Sequence, residues 1–312
     1  MSKVVVTGGA GFIGSHIAEE LVEAGYEVTI IDNFSTGYYS NIAHLSADIY
    51  QYDITNPSII DFIVGLKPDY IIHQAAQVSV AESVHNILHD ENVNVKGSLH
   101  IIKAAIKASV KKLVFASSAA VYGNPLVLPV TVEHPTLPES PYGLTKLTVE
   151  HYLKMANKFY QLSYGILRYS NVYGPRQDAK GEGGVVSIFS EKIQTNNILQ
   201  IYGDGEQTRD FIYVKDVARA NIKALEIEEN ICVNISSNTK ITINDLWKEM
   251  KKAVNIEKLE IKYERERAGD IRHSLLCNKQ TMELLNWMPK TNLENGLKET
   301  LLFANNILQE LK

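Results

Sequence analysis

The apolar positions of the chain fall into two alternating patterns. Short unbroken runs such as Val4-Val5-Val6, Val28-Thr29-Ile30-Ile31 and Leu113-Val114-Phe115-Ala116 are separated by stretches in which apolar residues recur at helical spacing. Such β-branched runs suit parallel strands covered on both faces. The pattern predicts a helix over Phe12 to Ala24, a short strand over Ile49 to Tyr52 ending at Asp53, and a helix beginning near Pro57, a residue suited to a first helical turn. It continues with a strand over Pro68 to His73, a long helix over Ile87 to Ala108 and a strand over Lys112 to Ala116. Ser117 to Ser140, with prolines at Pro125, Pro129, Pro135 and Pro138, reads as a long loop, and loops of that length are usually functional or disordered. A helix starts at Pro141, and Leu162 to Tyr169 is a further strand. Strands and helices in alternation imply an α/β fold, a doubly wound parallel sheet of Rossmann type with right-handed crossovers. Past Asn171 the periodicity loosens, and the glycine pairs Gly183-Gly184 and Gly203-Asp-Gly205 mark a smaller C-terminal α/β region. The expected division is a first domain over 1–170, rejoined by 209–236, and a second region over 171–312. No internal repeat or low-complexity tract interrupts this order.

Between the first strand and the first helix lies Thr7-Gly-Gly-Ala-Gly-Phe-Ile-Gly-Ser15. Gly8, Gly11 and Gly14 recur at every third position, and Gly9, Gly11 and Gly14 also satisfy G-x-G-x-x-G. Either way the glycines permit a tight turn, close backbone approach to a pyrophosphate, and close contact of helix and strand. The phosphates would sit at the N-terminus of the helix that begins with Phe12 and Ile13, where free N–H groups and the macrodipole favour negative charge. The second strand ends in Asp32, about 20 residues beyond the glycines, as a dinucleotide fingerprint requires. Asp32 would accept from the adenosine ribose hydroxyls and repel a 2′-phosphate, so NAD is expected rather than NADP. The turn-rich Asn33-Phe-Ser-Thr36-Gly37 is of the kind that wraps an adenosine, and the small Ala75 and Ala76 leave room beside the backbone.

Composition narrows the function. The 312 residues carry a formal charge of −5 with lysines spread along the chain, so nothing points to nucleic acid or to an anionic membrane surface. The lysines Lys248, Lys251 and Lys252 read as the solvated face of a helix. Two cysteines, Cys232 and Cys277, without a signal-like opening or a membrane-length apolar stretch, lead to the expectation of a cytoplasmic protein without a disulfide framework. His85 and His89 have metal-ligand spacing but no third ligand near them, so no metal is expected. Trp247 and Trp287 lie in apolar helical patterns and read as core, and Cys277 as structural.

Tyr142 and Lys146 stand at i and i+4 on one predicted helix, so a lysine ammonium could lie beside the phenol. A neighbouring cation favours the phenolate, which a base working near neutral pH needs. Such pairs are common on helices, but here Ser117-Ser118 closes a strand of the sheet that carries the glycine turn, and ligands bind at the carboxyl ends of parallel strands. A hydroxyl there can bond the same substrate oxygen as the tyrosine.

Taken together, Thr7-Gly-Gly-Ala-Gly-Phe-Ile-Gly14, Asp32-Asn33, His73-Gln-Ala-Ala76, Ser117-Ser-Ala-Ala-Val-Tyr-Gly123 and Tyr142-Gly-Leu-Thr-Lys146 resemble the extended short-chain dehydrogenase/reductases, specifically their nucleotide-sugar epimerases. The resemblance continues through Leu167-Arg-Tyr-Ser-Asn-Val-Tyr-Gly-Pro-Arg176, Gly203-Asp-Gly-Glu-Gln-Thr-Arg-Asp-Phe211 and Arg267-Ala-Gly-Asp-Ile-Arg-His-Ser274. It implies that Ser118 bonds the sugar 4-hydroxyl, that Tyr142 is the general base, and that Lys146 holds the nicotinamide ribose and lowers the tyrosine pKa. It further implies Asp53 and Ile54 at the adenine, and Ala75, Ala76, Asn94 and Tyr169 along the rest of the cofactor site. Asn171, Arg209, Arg267 and Asp270 fall where the family holds uridine diphosphate, a role apt for arginines. A homodimer is implied as well, through a four-helix bundle of the segments 87–108 and 142–160. Leu99, Ile101, Ile102, Ala105 and Ile106 put apolar groups on more than one face of the first segment.

Departures from the family pattern select among its members. Dehydratases and decarboxylases of the family carry an acid just after the serine motif, where this chain has Ala119 and Ala120. The resemblance therefore implies 4-epimerisation of UDP-glucose and UDP-galactose. A dehydratase or reductase of the same family, or an NAD-binding protein without catalysis, are the alternatives. Ser274 corresponds to a position bordering the sugar C2 substituent, where members restricted to glucose and galactose place a bulky aromatic, so UDP-GlcNAc and UDP-GalNAc are expected substrates too. Ser170 stands where some epimerases have Phe.

Overall fold

The structure, a computed structural model, describes residues 1–179, 184–254, 260–266 and 271–310. In chain order the first part comprises β1 (Lys3–Thr7), α1 (Phe12–Glu23), β2 (Glu27–Asp32), β3 (Asp48–Gln51), α2 (Ile59–Leu66), β4 (Tyr70–His73), α3 (Val80–His85), α4 (Ile87–Glu91), α5 (Ser98–Ala108), β5 (Lys112–Ser118), α6 (Pro141–Tyr160) and β6 (Tyr164–Tyr169). There follow β7 (Asn171–Tyr173), α7 (Val185–Thr195), β8 (Leu199–Tyr202), β9 (Thr208–Tyr213), α8 (Val214–Glu226), β10 (Ile231–Ile235), β11 (Lys240–Thr242), α9 (Ile243–Val254), β12 (Ile261–Glu264), α10 (Lys279–Leu285) and α11 (Leu293–Glu310).

Seven strands form one parallel sheet in the order β3-β2-β1-β4-β5-β6-β10. The three valines of β1 explain its central place. Val4 and Val6 pack with Ile17 and Leu21 of α1 and Ala218 and Ile222 of α8 on one face, while Val5 packs with Ile63 of α2, Ile101 of α5 and Leu153 of α6 on the other. Side chains alternate across a strand, so only a run that is apolar at every position can fill both layers. Strand order reverses between β1 and β4, and the crevice at such a switch point is where open α/β sheets bind ligands.

Of the segment 209–236, α8 and β10 join this sheet, whereas β9 pairs with β7 and β11 in a separate three-stranded sheet. With the β8-β12 pair, that sheet shares a second core in which Phe189, Trp247, Tyr173 and Leu297 meet. Trp287 belongs to the first core, its indole N–H donating to the Asp216 carbonyl at 3.0 Å. On α9, Lys248 and Lys252 pair with Asp245 and Glu249 on the exposed face.

The single helix expected over Ile87 to Ala108 is interrupted. A π-helical turn, Asn92–Gly97, separates α4 from α5. Such bulges frequently mark functional sites. Here the extra residue turns the buried Asn94 amide toward Gln77, and Gly97 lies against the Ile54 side chain, where a Cβ would come within 2.7 Å. The short α3, absent from the sequence expectation, starts at Ser79, whose hydroxyl accepts from the Glu82 N–H. Among the described residues no helix is long and apolar enough to cross a membrane.

At Gly14 an added Cβ would overlap the Gly8 carbonyl oxygen, a backbone atom that cannot swing aside. Gly14→Ala is expected to cost about 1–3 kcal/mol, as overpacking does, seen as a lower midpoint in urea unfolding with the slope unchanged.

Candidate active site

A cavity of about 660 Å³ opens at the carboxyl ends of the central strands. Its floor is the glycine turn, contributed by Gly8, Gly11, Phe12, Ile13 and Gly14. Gly8 has φ +68°, and a Cβ there would stand 2.6 Å from the Ala75 nitrogen, so β1 and the β4 end approach as closely as they do only with glycine. Ala75 and Ala76 line the wall beside it. Asp32, Asn33 and Thr36 line the side beyond β2, and Asp53 and Ile54 the side beyond β3. Asp32 is buried, and its two oxygens accept from the backbone N–H groups of Phe34 at 2.8 Å and Ala10 at 2.9 Å. Burial raises its carboxyl above the ordinary value while these N–H groups oppose the rise. Asp53 accepts from Asn33 Nδ2 at 3.0 Å and from the Thr55 N–H and hydroxyl at 2.7 Å, bonds that outweigh its desolvation and lower its pKa.

Two expected cofactor residues stand behind the wall instead of on it. Gly37 lets the chain pack within 2.9 Å of the Ala10 backbone, and Asn94 spends its amide on Gln77 and Asp90. Gln77 itself faces the cavity, as does Gln74. Gln74 holds the Tyr169 hydroxyl at 3.0 Å, and Asn221 holds it from the other side. Tyr169 lines the cavity as a buried phenol whose pKa is pushed up by desolvation. The neighbouring His73 is buried between the Thr7 hydroxyl at 2.6 Å and the Ser98 hydroxyl at 2.9 Å. Because Ser98 donates onward to the Asn94 carbonyl, His73 Nε2 carries the proton and Nδ1 accepts from Thr7. Burial and the charge of Lys146 push its pKa down to about 3, so it is neutral.

α6 brings the catalytic candidates to the far end. Ser140 caps it, its hydroxyl accepting from the Gly143 N–H, and Pro141 occupies the first turn. Tyr142 and Lys146 both line the cavity, with the Lys146 Nζ 5.8 Å from the centre of the tyrosine ring. Nζ lies 5.0 Å from the Phe115 ring centre and donates to the Ala116 carbonyl at 2.9 Å. Burial pushes the lysine down to about 8, with the Asp90 carboxylate opposing that fall. Ser117, which lines the cavity, and Ser118, which is not among the lining residues, differ in their hydrogen bonds. Ser117 donates to Glu150 at 2.6 Å, whereas Ser118 accepts from the Ala120 N–H at 3.1 Å and keeps its own proton for another acceptor.

The substrate candidates come from the smaller sheets. Asn171 is exposed on β7 and paired in register with β9, which carries Arg209. Arg209 Nη1 donates to the Thr208 carbonyl at 2.9 Å. Ser274 joins them because its N–H donates to the same carbonyl at 3.1 Å and His273 forms a bridge with Thr208. Arg267 and Asp270 lie outside the described residues. Ser170 is buried, its hydroxyl 3.5 Å from Asp210. His85 bonds the Ala81 carbonyl and His89 lies at the cavity edge. Sequence reasoning passed over Gln74, Gln77, Asp90 and Glu150. Only Glu150 carried a signal, as the next i+4 position after Lys146.

The cradle fits NAD on its own geometry. Gly11, Phe12 and Ile13 at the α1 N-terminus face it, and the buried Asp32 carboxylate lines it, where it could accept from ribose hydroxyls and would repel a 2′-phosphate. Comparisons with known proteins agree. Residues 4–236 match the model of the NAD dependent epimerase/dehydratase family. A UDP-glucose 4-epimerase from Thermotoga maritima, solved with UDP-glucose, is 42% identical with TM-score 0.94, over 98% of this chain and 99% of that one. A UDP-N-acetylglucosamine 4-epimerase from Methanobrevibacter ruminantium, solved with UDP-N-acetylmuramic acid, is 37% identical with TM-score 0.93, over 99% of each chain. A UDP-glucose 4-epimerase from Thermus thermophilus, solved with NAD, is 36% identical with TM-score 0.90, over 97% of this chain and 98% of that one. With the glycine cradle, Asp32 and the Tyr142–Lys146 helix on one cavity, the chain belongs to the NAD dependent epimerase/dehydratase family.

Proposed function

We propose that the protein is an isomerase, a UDP-hexose 4-epimerase that interconverts UDP-glucose and UDP-galactose through a 4-ketosugar and accepts UDP-GlcNAc and UDP-GalNAc as well. The observation that carries this reading is the Tyr142–Lys146 pair lining one cavity with the glycine cradle, with no acid at Ala119 or Ala120 to drive loss of water. NAD, when bound, would supply the acceptor for the C4 hydride and its later donor. Asp32 would hold the adenosine ribose, the N–H groups of the glycine turn the pyrophosphate, and Lys146 the nicotinamide ribose. Tyr142 takes the 4-hydroxyl proton as C4 is oxidised and returns it to the same oxygen after the ketosugar has turned. Ser118 donates its free proton to that oxygen throughout. Asn171 and Arg209, together with Arg267 and Asp270, bind the uridine diphosphate.

A homodimer fits the surface of α6. Leu144, Tyr152, Met155 and Phe159 recur at helical spacing on its outer side and are exposed, opposite the face that carries Tyr142 and Lys146. The adjoining α4 exposes Ile87 and Leu88. The basis differs from the sequence expectation, since Ile101, Ile102 and Ala105 are spent in the protomer's own core and Leu99 and Ile106 are partly buried against it. Two unbonded cysteines fit a cytoplasmic location.

Three outcomes are expected. Incubation with UDP-galactose and no added cofactor yields UDP-glucose, and Tyr142→Phe loses roughly 10²–10⁴-fold in kcat while still binding nucleotide sugar; a loss below tenfold would point to another base. Ser274→Tyr suppresses kcat/KM for the acetylated pair while leaving the plain hexoses within a few-fold, and a wild type inactive on UDP-GlcNAc would remove the wider range. Light scattering gives a dimer, and Leu88→Glu with Phe159→Glu gives a monomer.

A further inference from the structure

Asp90, on the last turn of α4, is a fully buried carboxylate that neither the cofactor cradle nor the substrate candidates use. Among the described residues no lysine or arginine forms an ion pair with it. Oδ1 accepts from Gln77 Nε2 at 2.7 Å and from Asn94 Nδ2 at 2.9 Å. Oδ2 lies 3.0 Å from the Thr145 hydroxyl, which is also 2.9 Å from the Tyr142 carbonyl. Thr145 is the residue before Lys146, so one carboxylate ties the cavity wall at Gln77, the π turn at Asn94 and the turn of α6 that carries both catalytic candidates.

We propose that Asp90 is a positioning residue of the catalytic pair: through Thr145 it fixes the turn of α6 that presents Tyr142 and Lys146, and its charge is the counter-charge of the Lys146 ammonium. The inference rests on the reading of Tyr142 and Lys146 as base and helper. An unpaired buried carboxylate is costly unless it is bonded and faces a cation. Three side-chain donors supply the bonds, and Lys146, itself buried with one carbonyl partner, supplies the cation.

The other ionisable groups around Lys146 do not take that part. Glu150, one turn further along α6, is neutralised by Arg168. His73 on β4 is uncharged, and Tyr169 on β6 is a neutral phenol. Tyr142, one turn back, is the group the lysine serves. His89, beside Asp90 in sequence, stands at the cavity edge and acts on Asp53. Burial lowers the Lys146 pKa to about 8, and the charge of Asp90 opposes that fall. A neutral lysine would no longer favour the tyrosine phenolate.

Asp90→Asn tests the charge with little change of shape. The amide oxygen still accepts from Gln77 and Asn94, and the amide nitrogen can donate to Thr145, whose proton then goes to the Tyr142 carbonyl. A turnover assay with UDP-galactose, in which wild type is active and Tyr142→Phe is not, establishes the underlying reading first; if that control fails, the fault lies with the reading and not with Asp90. Given the control, Asp90→Asn is expected to move the basic limb of the kcat–pH profile roughly one unit to lower pH. Thr145→Val, which keeps the charge and cuts the tether, is expected to lower kcat by roughly tenfold or more across the range, with the limb in place. A basic limb in Asp90→Asn that coincides with wild type overturns the proposal. Should Asp90→Asn fail to fold, as judged by circular dichroism, a wild-type kcat in Thr145→Val overturns it equally.

Discussion

Tyr142 and Lys146 are carried by α6, whose apolar face packs in the core and whose register against β5 and β6 is fixed by one buried ion pair. Glu150 accepts from Arg168 through Nε at 2.9 Å and Nη2 at 2.6 Å, the two-pronged geometry that arginine favours, and from the Ser117 hydroxyl. Ser117 directly precedes Ser118, and Arg168 directly precedes Tyr169, so site residues on two strands, β5 and β6, are set against α6 by a single carboxylate. Arg168 also donates to the Tyr122 hydroxyl at 3.0 Å, and Tyr122 in turn donates to Asn234 on β10. Removing one partner of such a pair costs about 3–5 kcal/mol, because the other charge is left buried and alone. The pair therefore gives α6 a defined register against the sheet more than it adds net stability.

The two binding regions meet at a single residue. β6 ends at Tyr169 on the cofactor cavity, β7 begins at Asn171 among the substrate candidates, and Ser170 between them is anchored by its N–H to the Ile235 carbonyl. Its hydroxyl faces Asp210, whose carboxylate also accepts from the Ser237 N–H and hydroxyl and the Leu276 N–H. Burial pushes Asp210 up to about 6, against the pull of those bonds. Asp210 thus gathers β9, the turn after β10 and the segment just beyond Ser274. Val130 completes the frame, exchanging backbone bonds with Leu275 and Cys277, so the long loop after β5 is held to the substrate side.

Much of this was legible without coordinates. Short unbroken apolar runs bounded by turns suit buried strands, and glycines that must pass another backbone leave a fixed spacing, so the sheet, the cradle and Asp32 could be read from local pattern. Tyr142 and Lys146 could be read because a helix carries i and i+4 on one face. The helix over 87–108 could not be read correctly: a π turn inserts one residue without changing composition, and its cause lies in Gln77 and Ile54, distant in sequence. Nor does local pattern show that Asn94 packs on Gln77 and Gly37 on the Ala10 backbone, contacts made across the fold.

What the chain by itself determined was the kind of most elements up to Tyr169 and the identity of its candidate reactive groups, because these follow from periodicity and from side-chain chemistry within a few residues. Which hydroxyl of Ser117-Ser118 is spent, which carboxylates are neutralised, and which apolar residues of 87–108 and α6 are left on the surface were decided only by tertiary structure. The polar cases depend on partners between 18 and 55 residues away, as with Arg168 for Glu150 and Thr145 for Asp90. A hydrogen bond or an ion pair is made by distance in space, and distance along the chain carries no measure of it.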